Sequence, residues 1–254
     1  MQPEIHIGPL TLQTFGICFA AAFVAAGAVI GRRLQEWDKP VDWAYEVMFC
    51  ALVGGVVGAR LDYLIQNYDD VSDDLLGNLF SGAGLVWYGG AIGGAIAVVL
   101  WAWRRGMLDV ALLDLCAVPL ALGYAIGRIG CQLSGDGDFG QPWDGPWAMS
   151  YPDGTVPTDV SVHPTPIYET LAMGTVALVL WRWRDRFRTG ALFALYLVFA
   201  GIERTLVELI RRNDSVVAGL TEPQLLSIAM VVVGATWIAL LARGGGVRRR
   251  PASA

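Results

Sequence analysis

Seven stretches of this chain are long and apolar enough to cross a bilayer, and that narrows its fold more than any other feature. A span needs roughly 20 mostly apolar residues, and candidates lie near residues 10–31, 43–66, 84–103, 109–127, 165–181, 190–210 and 222–242. The composition agrees: 55% of the 254 residues are hydrophobic and 16% are charged, against about a quarter charged in a soluble domain. Ten tryptophans and 31 glycines point the same way, since both are frequent in membrane helices and their interfacial belts. The expected fold is all-α: a polytopic membrane protein of about seven transmembrane helices, forming a single integral membrane domain over residues 1–254.

The basic residues orient it. Arg32, Arg33 and Lys39 follow the first span, Arg104 and Arg105 the third, Arg182, Arg184, Arg186 and Arg188 the fifth, and Arg243, Arg248, Arg249 and Arg250 the seventh. These 13 of 18 basic residues fall on one side, and the positive-inside rule makes that side cytoplasmic, with the N-terminus outside and the C-terminus inside. The other side carries two long loops, near 67–83 and 128–163, with Asp69, Asp70, Asp73 and Asp74 in the first. Long loops are where function concentrates. The first span lacks a basic n-region, so it is not expected to be a cleaved signal peptide. Arg248-Arg249-Arg250 reads as a topology anchor, and no nucleic-acid partner is expected.

Cys18, Cys50 and Cys116 lie inside apolar runs, where a thiol behaves as a small hydrophobe. There is no CxxC pair, and His6 and His163 are the only histidines. Neither a metal nor another cofactor is expected.

The remaining arginines are Arg60, Arg128, Arg204, Arg211 and Arg212. Arg128 opens the stretch Gly127-Arg128-Ile129-Gly130-Cys131-Gln132-Leu133-Ser134-Gly135-Asp136-Gly137-Asp138-Phe139-Gly140. Here an arginine leaves an apolar run into a glycine- and aspartate-rich turn. An ionisable group in such a place marks a functional site, and a guanidinium fork beside permissive backbone suits a phosphate. That implies an anionic lipid headgroup, or another phosphate met at the membrane surface. Arg204 and Glu208 are four apart, on one helix face, with Glu203 adjacent; they form either a helix-locking ion pair or an arginine oriented toward an anion. Arg60 near the end of the second span either snorkels to the interface or faces the ligand. Gly89, Gly90, Gly93 and Gly94 after Tyr88 either pack helices closely or open a cavity. His163-Pro164-Thr165-Pro166-Ile167-Tyr168-Glu169 starts the fifth span, with Thr165 as a candidate cap and His163 fixing the loop by a hydrogen bond. Cys131 has no basic partner beside it in sequence and is not expected to be a nucleophile.

Taken in order, these motifs resemble the bacterial prolipoprotein diacylglyceryl transferase family over nearly the whole chain. Gly127-Arg128-Ile129-Gly130 through Gly135-Asp136 and Gly140 is similar to its signature loop, and His163 through Glu169 to its HPTxxYE element. Gly58-Ala59-Arg60-Leu61, Tyr88-Gly89-Gly90-Ala91-Ile92-Gly93 and Arg204-Thr205-Leu206-Val207-Glu208 match in order.

The resemblance implies transfer of the diacylglyceryl group of phosphatidylglycerol to the lipobox cysteine thiol in a prolipoprotein signal peptide, with release of glycerol 1-phosphate. It implies a multi-pass protein of the bacterial cytoplasmic (inner) membrane, with membrane lipids around it and the active site toward the outer leaflet. Arg128, Arg204, Tyr88 and Glu208 are its implied catalytic residues. Arg128, Arg204, Gly140, Asp136, Gly89, Gly90, His163 and Arg60 are its implied headgroup-binding residues. The chain departs from the common pattern at Tyr88, where many members have a histidine, and at Cys131 and Ser134, where asparagines are common. Phe15 and Ala200 replace tyrosines, and the Gly135–Gly140 loop is one residue longer. The alternatives are a lipid-binding paralogue that is inactive or of altered specificity, and a small organic-anion transporter.

Overall fold

The computed structural model describes residues 1–68 and 86–248. Its order is β1 (Glu4–Ile7), β2 (Leu10–Gln13), α1 (Thr14–Glu36), α2 (Trp43–Gln66), α3 (Trp87–Arg105), α4 (Val110–Ser134), β3 (Met149–Tyr151), β4 (Thr158–Val162), α5 (Thr165–Trp183), α6 (Ala191–Glu208) and α7 (Glu222–Arg243). The protein is mostly helical, with seven helices among the described residues. Of these α1, α2, α4 and α7 are long and apolar enough to cross a membrane; α6 carries Glu203, Arg204 and Glu208 within its 18 residues. Most of the loop expected at 67–83, with its four aspartates, lies outside the described residues, as do Arg249 and Arg250.

The all-α expectation missed two short hairpins. β1 pairs antiparallel with β2, Ile7 facing Leu10 across a turn in which Gly8 adopts φ 61°. Residues 10–13, expected in the first span, are therefore strand, and α1 instead runs on past Arg32 and Arg33. β3 pairs antiparallel with β4 inside the long loop. A larger correction concerns α4. It continues to Ser134, so Arg128, Gly130 and Cys131 lie on helix and the loop begins after them. Glycine weakens a helix by about 0.5–1 kcal/mol, but at Gly130 a Cβ would press to 3.0 Å from that of Cys18 on α1, so the glycine allows a close approach.

The chain divides into two compact units, residues 30–112 and the remainder, with boundaries inside α1 and α4. In residues 30–112, α2 and α3 pack backbone to backbone. A Cβ on Gly58 would lie 2.2 Å from the carbonyl oxygen of Gly89, and one on Gly93 would lie 2.3 Å from that of Gly54. The glycines after Tyr88 therefore serve close packing. The Gly89 amide donates to Asp62 at 2.9 Å. Arg60 is buried, its guanidinium 4.9 Å from the ring of Tyr63, so it does not snorkel to solvent.

In the other unit, Ala121 and Ala125 of α4 pack on Met173 and Ala177 of α5 and Ala200 of α6, small residues that let the helices approach. The α6 N-terminus is held by Asp114 of α4, which accepts from the amides of Gly190 at 2.7 Å and Phe193 at 2.9 Å, a carboxylate where the helix dipole favours one. α7 starts with a capping box between Thr221 and Gln224 and packs closely on α6, where a Cβ on Gly201 would lie 2.6 Å from the carbonyl oxygen of Ser227.

Gly93→Ala should therefore separate α2 from α3 and lower stability by about 1–3 kcal/mol. Gly123→Ala on α4 has nothing within 4 Å of its new Cβ and should leave the unfolding temperature in detergent unchanged or slightly raised. Equal behaviour of the two variants would contradict the packing described.

Candidate active site

One carboxylate organises the charged centre of the larger unit. Glu169 lies one turn into α5, and its side chain is completely buried. Its Oε1 accepts from Arg204 Nη1 at 3.1 Å and from the Tyr124 hydroxyl at 2.7 Å. Its Oε2 is 3.2 Å from Arg128 Nε and 3.6 Å from Arg211 Nη1. Tyr124 and Arg128 are four apart on α4, so both face α5; Arg128 Nη2 donates to the Tyr124 hydroxyl at 3.1 Å and the guanidinium lies over its ring. A buried carboxylate is tolerable only when paired and hydrogen-bonded, and here three arginines meet it.

The expected Arg204–Glu208 pair is present, Arg204 Nη2 lying 3.0 Å from Glu208 Oε2. Glu208 is held from behind: Thr221 Oγ1 donates to it at 2.8 Å and Asn213 Nδ2 at 2.6 Å. Arg204 is thus fixed on both sides, with one guanidinium nitrogen on Glu169 and another on Glu208. The adjacent Glu203 is also buried, and its Oε1 has no hydrogen-bond partner among the described residues.

The glycine–aspartate loop closes the cluster. Asp138 is ion-paired to Arg128 Nη1 through one oxygen and to Arg211 Nη2 through the other. Its backbone is anchored as well, the carbonyl accepting from Thr165 Oγ1 at 2.6 Å. Thr165 is thus a tie to the loop, whereas the N-cap position expected of it belongs to Pro164. Gly135 and Gly137 adopt φ 61° and 94°, the left-handed region that glycine enters freely. Gly140 is needed for closeness, since a Cβ would lie 2.6 Å from the Ile210 carbonyl oxygen and 2.9 Å from the His163 Cβ. Its amide donates to the His163 carbonyl at 2.8 Å, and Arg212 Nε donates to the Gly140 carbonyl at 2.8 Å.

His163 therefore fixes this loop, chiefly through its backbone. Its ring stacks on Trp143 at 4.3 Å, and Nδ1 lies 3.4 Å from the Tyr168 hydroxyl. Asp136 stays inside the loop, accepting from the Asp138 amide at 3.2 Å. Cys131 is buried, with Sγ 3.8 Å from Arg128 Nη1 and 3.6 Å from Asp138 Oδ2. Donor atoms of Cys131, Asp136 and Asp138 lie within 4.8 Å of one another. The two arginines already on Asp138 make that place repulsive to a cation.

Of the residues singled out from sequence, Arg128, Arg204, Glu208, Asp136, Gly140 and His163 lie in this unit, the first three in one connected network. Arg60, Tyr88, Gly89 and Gly90 belong to residues 30–112. Sequence reasoning gave no role to Glu169, Tyr124, Asp138 and Arg211. The signal for Glu169 was available, because an acid inside an apolar span is as costly as the arginines that were noticed. Nothing in sequence tied Arg211, 73 residues away, to Asp138.

The profile of the prolipoprotein diacylglyceryl transferase family matches residues 3–240. The chain belongs to that family. It is 33% identical to the phosphatidylglycerol–prolipoprotein diacylglyceryl transferase of Rhodospirillum centenum over 268 residues, covering 98% of this chain and 94% of the relative. The proteins of the same name from Clostridium tetani and Erythrobacter litoralis are 29% and 28% identical, over 89% and 100% of this chain and 91% and 95% of their own lengths. Family membership and the four apolar helices together make this a membrane protein.

Glu169→Ala should leave three arginines without their shared counter-charge and lower stability by about 3–5 kcal/mol, measured as detergent-phase thermal unfolding; Glu169→Gln, which keeps the shape and part of the hydrogen bonding, should lose less. A second expectation concerns acid. Burial pushes the Asp138 carboxyl up, but Arg128 and Arg211 outweigh it and hold the group below its ordinary value of 3.8. A carboxyl depressed on folding stabilises above its unfolded value and loses that contribution as pH falls through the folded one. Stability should therefore decline below about pH 4, and Asp138→Asn should remove part of that decline; an identical acid profile for both proteins would contradict it.

Proposed function

We propose that this chain transfers the diacylglyceryl group of phosphatidylglycerol to the lipobox cysteine thiol of prolipoproteins, releasing glycerol 1-phosphate. We place it in the bacterial cytoplasmic membrane as seven spans, N-terminus outside and C-terminus inside, over one integral domain with the site toward the outer leaflet. The observation that carries this reading is the joining of Arg128 and Arg204 through a single buried carboxylate, Glu169, in a chain of this family.

The chemistry follows from that geometry. The substrate thiol sulfur attacks glycerol C3 of the lipid, the C3–O bond breaks, and the phosphate leaves as glycerol 1-phosphate. Negative charge grows on the leaving oxygen, and preorganised guanidinium groups in a water-poor site stabilise it far more than water would. Arg128 and Arg204 are preorganised, because Tyr124, Glu169 and Glu208 fix their planes. Glu208 acts through Arg204, with Thr221 and Asn213 behind it. Gly140, Asp136 and His163 shape the loop beside the headgroup. The thiol, with an ordinary pKa of about 8.5, must lose a proton, which the departing phosphate monoester, more basic than the diester it came from, can carry away. Tyr88 is assigned a hydrogen bond to the headgroup, not the part of the base, Arg60 a supporting part in headgroup binding, and Gly89 and Gly90 an indirect part through the close α2–α3 packing.

Purified protein incubated with phosphatidylglycerol and a lipobox peptide should yield a diacylglyceryl–peptide adduct and glycerol 1-phosphate by mass spectrometry. Arg128→Ala and Arg204→Ala should abolish the adduct, and Tyr88→Phe should only slow its formation. Full activity of Arg128→Ala would remove the electrostatic role, and complete loss in Tyr88→Phe would make that hydroxyl essential. An adduct-free reaction with every lipid offered would leave an inactive paralogue or a transporter.

A further inference from the structure

We infer that the Asp138 carboxylate occupies the seat of the headgroup phosphate on Arg128 and Arg211, and that the incoming phosphate displaces it. The inference rests on the headgroup reading above and identifies where in the cluster the anion is received.

Charge balance is the first reason. Among the described residues the ion pairs join Arg128, Arg204 and Arg211 to Glu169, Glu208 and Asp138, three cations against three anions, and Asp136 beside Asp138 and buried Glu203 beside Arg204 add further acid. A phosphate monoanion added to this set leaves four anions on three cations in a poorly solvated place, which is strongly unfavourable. One carboxylate has to give way.

Burial and contacts identify which one. The side chains of Glu169 and Glu208 are fully buried, whereas that of Asp138 is 33% exposed. Glu169 touches three arginines and Tyr124, and Glu208 also holds Thr221 and Asn213. Among the described residues the Asp138 carboxylate, beyond its two arginines, has one hydrogen-bond contact, the Cys131 thiol, and the like-charged Asp136 lies close by. It is the least committed of the three and the one with a path to water.

The displacement needs no movement of the loop. The Asp138 carbonyl is tied to Thr165 and its amide to Asp136, so rotation of one short side chain frees both arginines. A two-oxygen anion spread over two guanidinium groups is also the geometry in which arginine receives phosphate. The internal carboxylate therefore keeps the arginines ordered when no lipid is bound. It also reduces apparent lipid affinity, because the binding-competent arrangement is only part of the population.

The test compares stability and affinity in the full-length protein in detergent. Short-chain phosphatidylglycerol, short-chain phosphatidylcholine and inorganic phosphate are titrated separately by calorimetry into the unsubstituted protein and into Asp138→Asn, Asp138→Ser and Asp153→Asn. The last removes the same charge from the exposed β3–β4 turn. Asp138→Asn and Asp138→Ser should unfold at lower temperature yet bind phosphatidylglycerol on the order of tenfold tighter, with Asp153→Asn near the unsubstituted value. A gain for phosphatidylglycerol alone assigns the seat to the lipid, and a gain for inorganic phosphate as well assigns it to phosphate in general; either supports the displacement. Weaker binding in both Asp138 variants would make Asp138 a prop for the arginines, and an equal gain in Asp153→Asn would reduce the effect to bulk charge. Both results overturn the inference while leaving the headgroup reading intact. If the unsubstituted protein binds phosphatidylglycerol no better than phosphatidylcholine, the headgroup reading fails and the inference with it.

Discussion

A carboxylate buried in an apolar helix bundle is stable only if cations and donors take the place of water, and Glu169 meets that condition by drawing on four side chains from three parts of the chain. Tyr124 and Arg128 reach it from α4, Arg204 from α6 and Arg211 from the segment after α6. Each arginine would itself be costly in such surroundings, so the groups are mutually dependent. The cluster fixes which faces of α4, α5 and α6 meet, while the alanines and glycines between them allow the helices to come that close.

The same arrangement holds the guanidinium groups in fixed positions. Guanidinium planes held by Tyr124, Glu169 and Glu208 do not have to be ordered when a ligand arrives, so little of their interaction is lost to reorganisation. The loop from Gly135 to Gly140 closes over them through its backbone: Gly140 bonds to His163, Asp138 to Thr165, and Arg212 returns to Gly140. Such close approach leaves no room for a Cβ at Gly140, which is the physical reason a glycine stands there.

How far the sequence could be read differed from element to element. The apolar runs coincide with helices among the described residues, four of them long and apolar enough to span a membrane, because a period-free apolar stretch of that length has few alternatives. Their ends were read less well. α4 passes through Gly127 and Gly130 to Ser134, with close packing against Cys18 at Gly130 and open space at Gly127, whereas glycine on its own signals a turn. The second hairpin strand, Leu10–Gln13, falls inside the apolar run of the first span, since its apolar residues resemble a helix start. The i,i+4 spacing gave the Arg204–Glu208 pair directly. It could not give the fork by which Arg204 also holds Glu169, because that contact crosses from α6 to α5.

The sequence by itself determined the class of protein, its family and the pair Arg128 and Arg204 with Glu208, since apolar length, motif order and the rarity of charge within a span are local properties. Only the tertiary structure decided how those charges are shared. It brought Arg211 onto Asp138, put Glu169 at the centre and placed Asp138 on both arginines, because ion pairs in a low-dielectric interior form among whatever charges the helix packing brings together, and sequence distance does not enter.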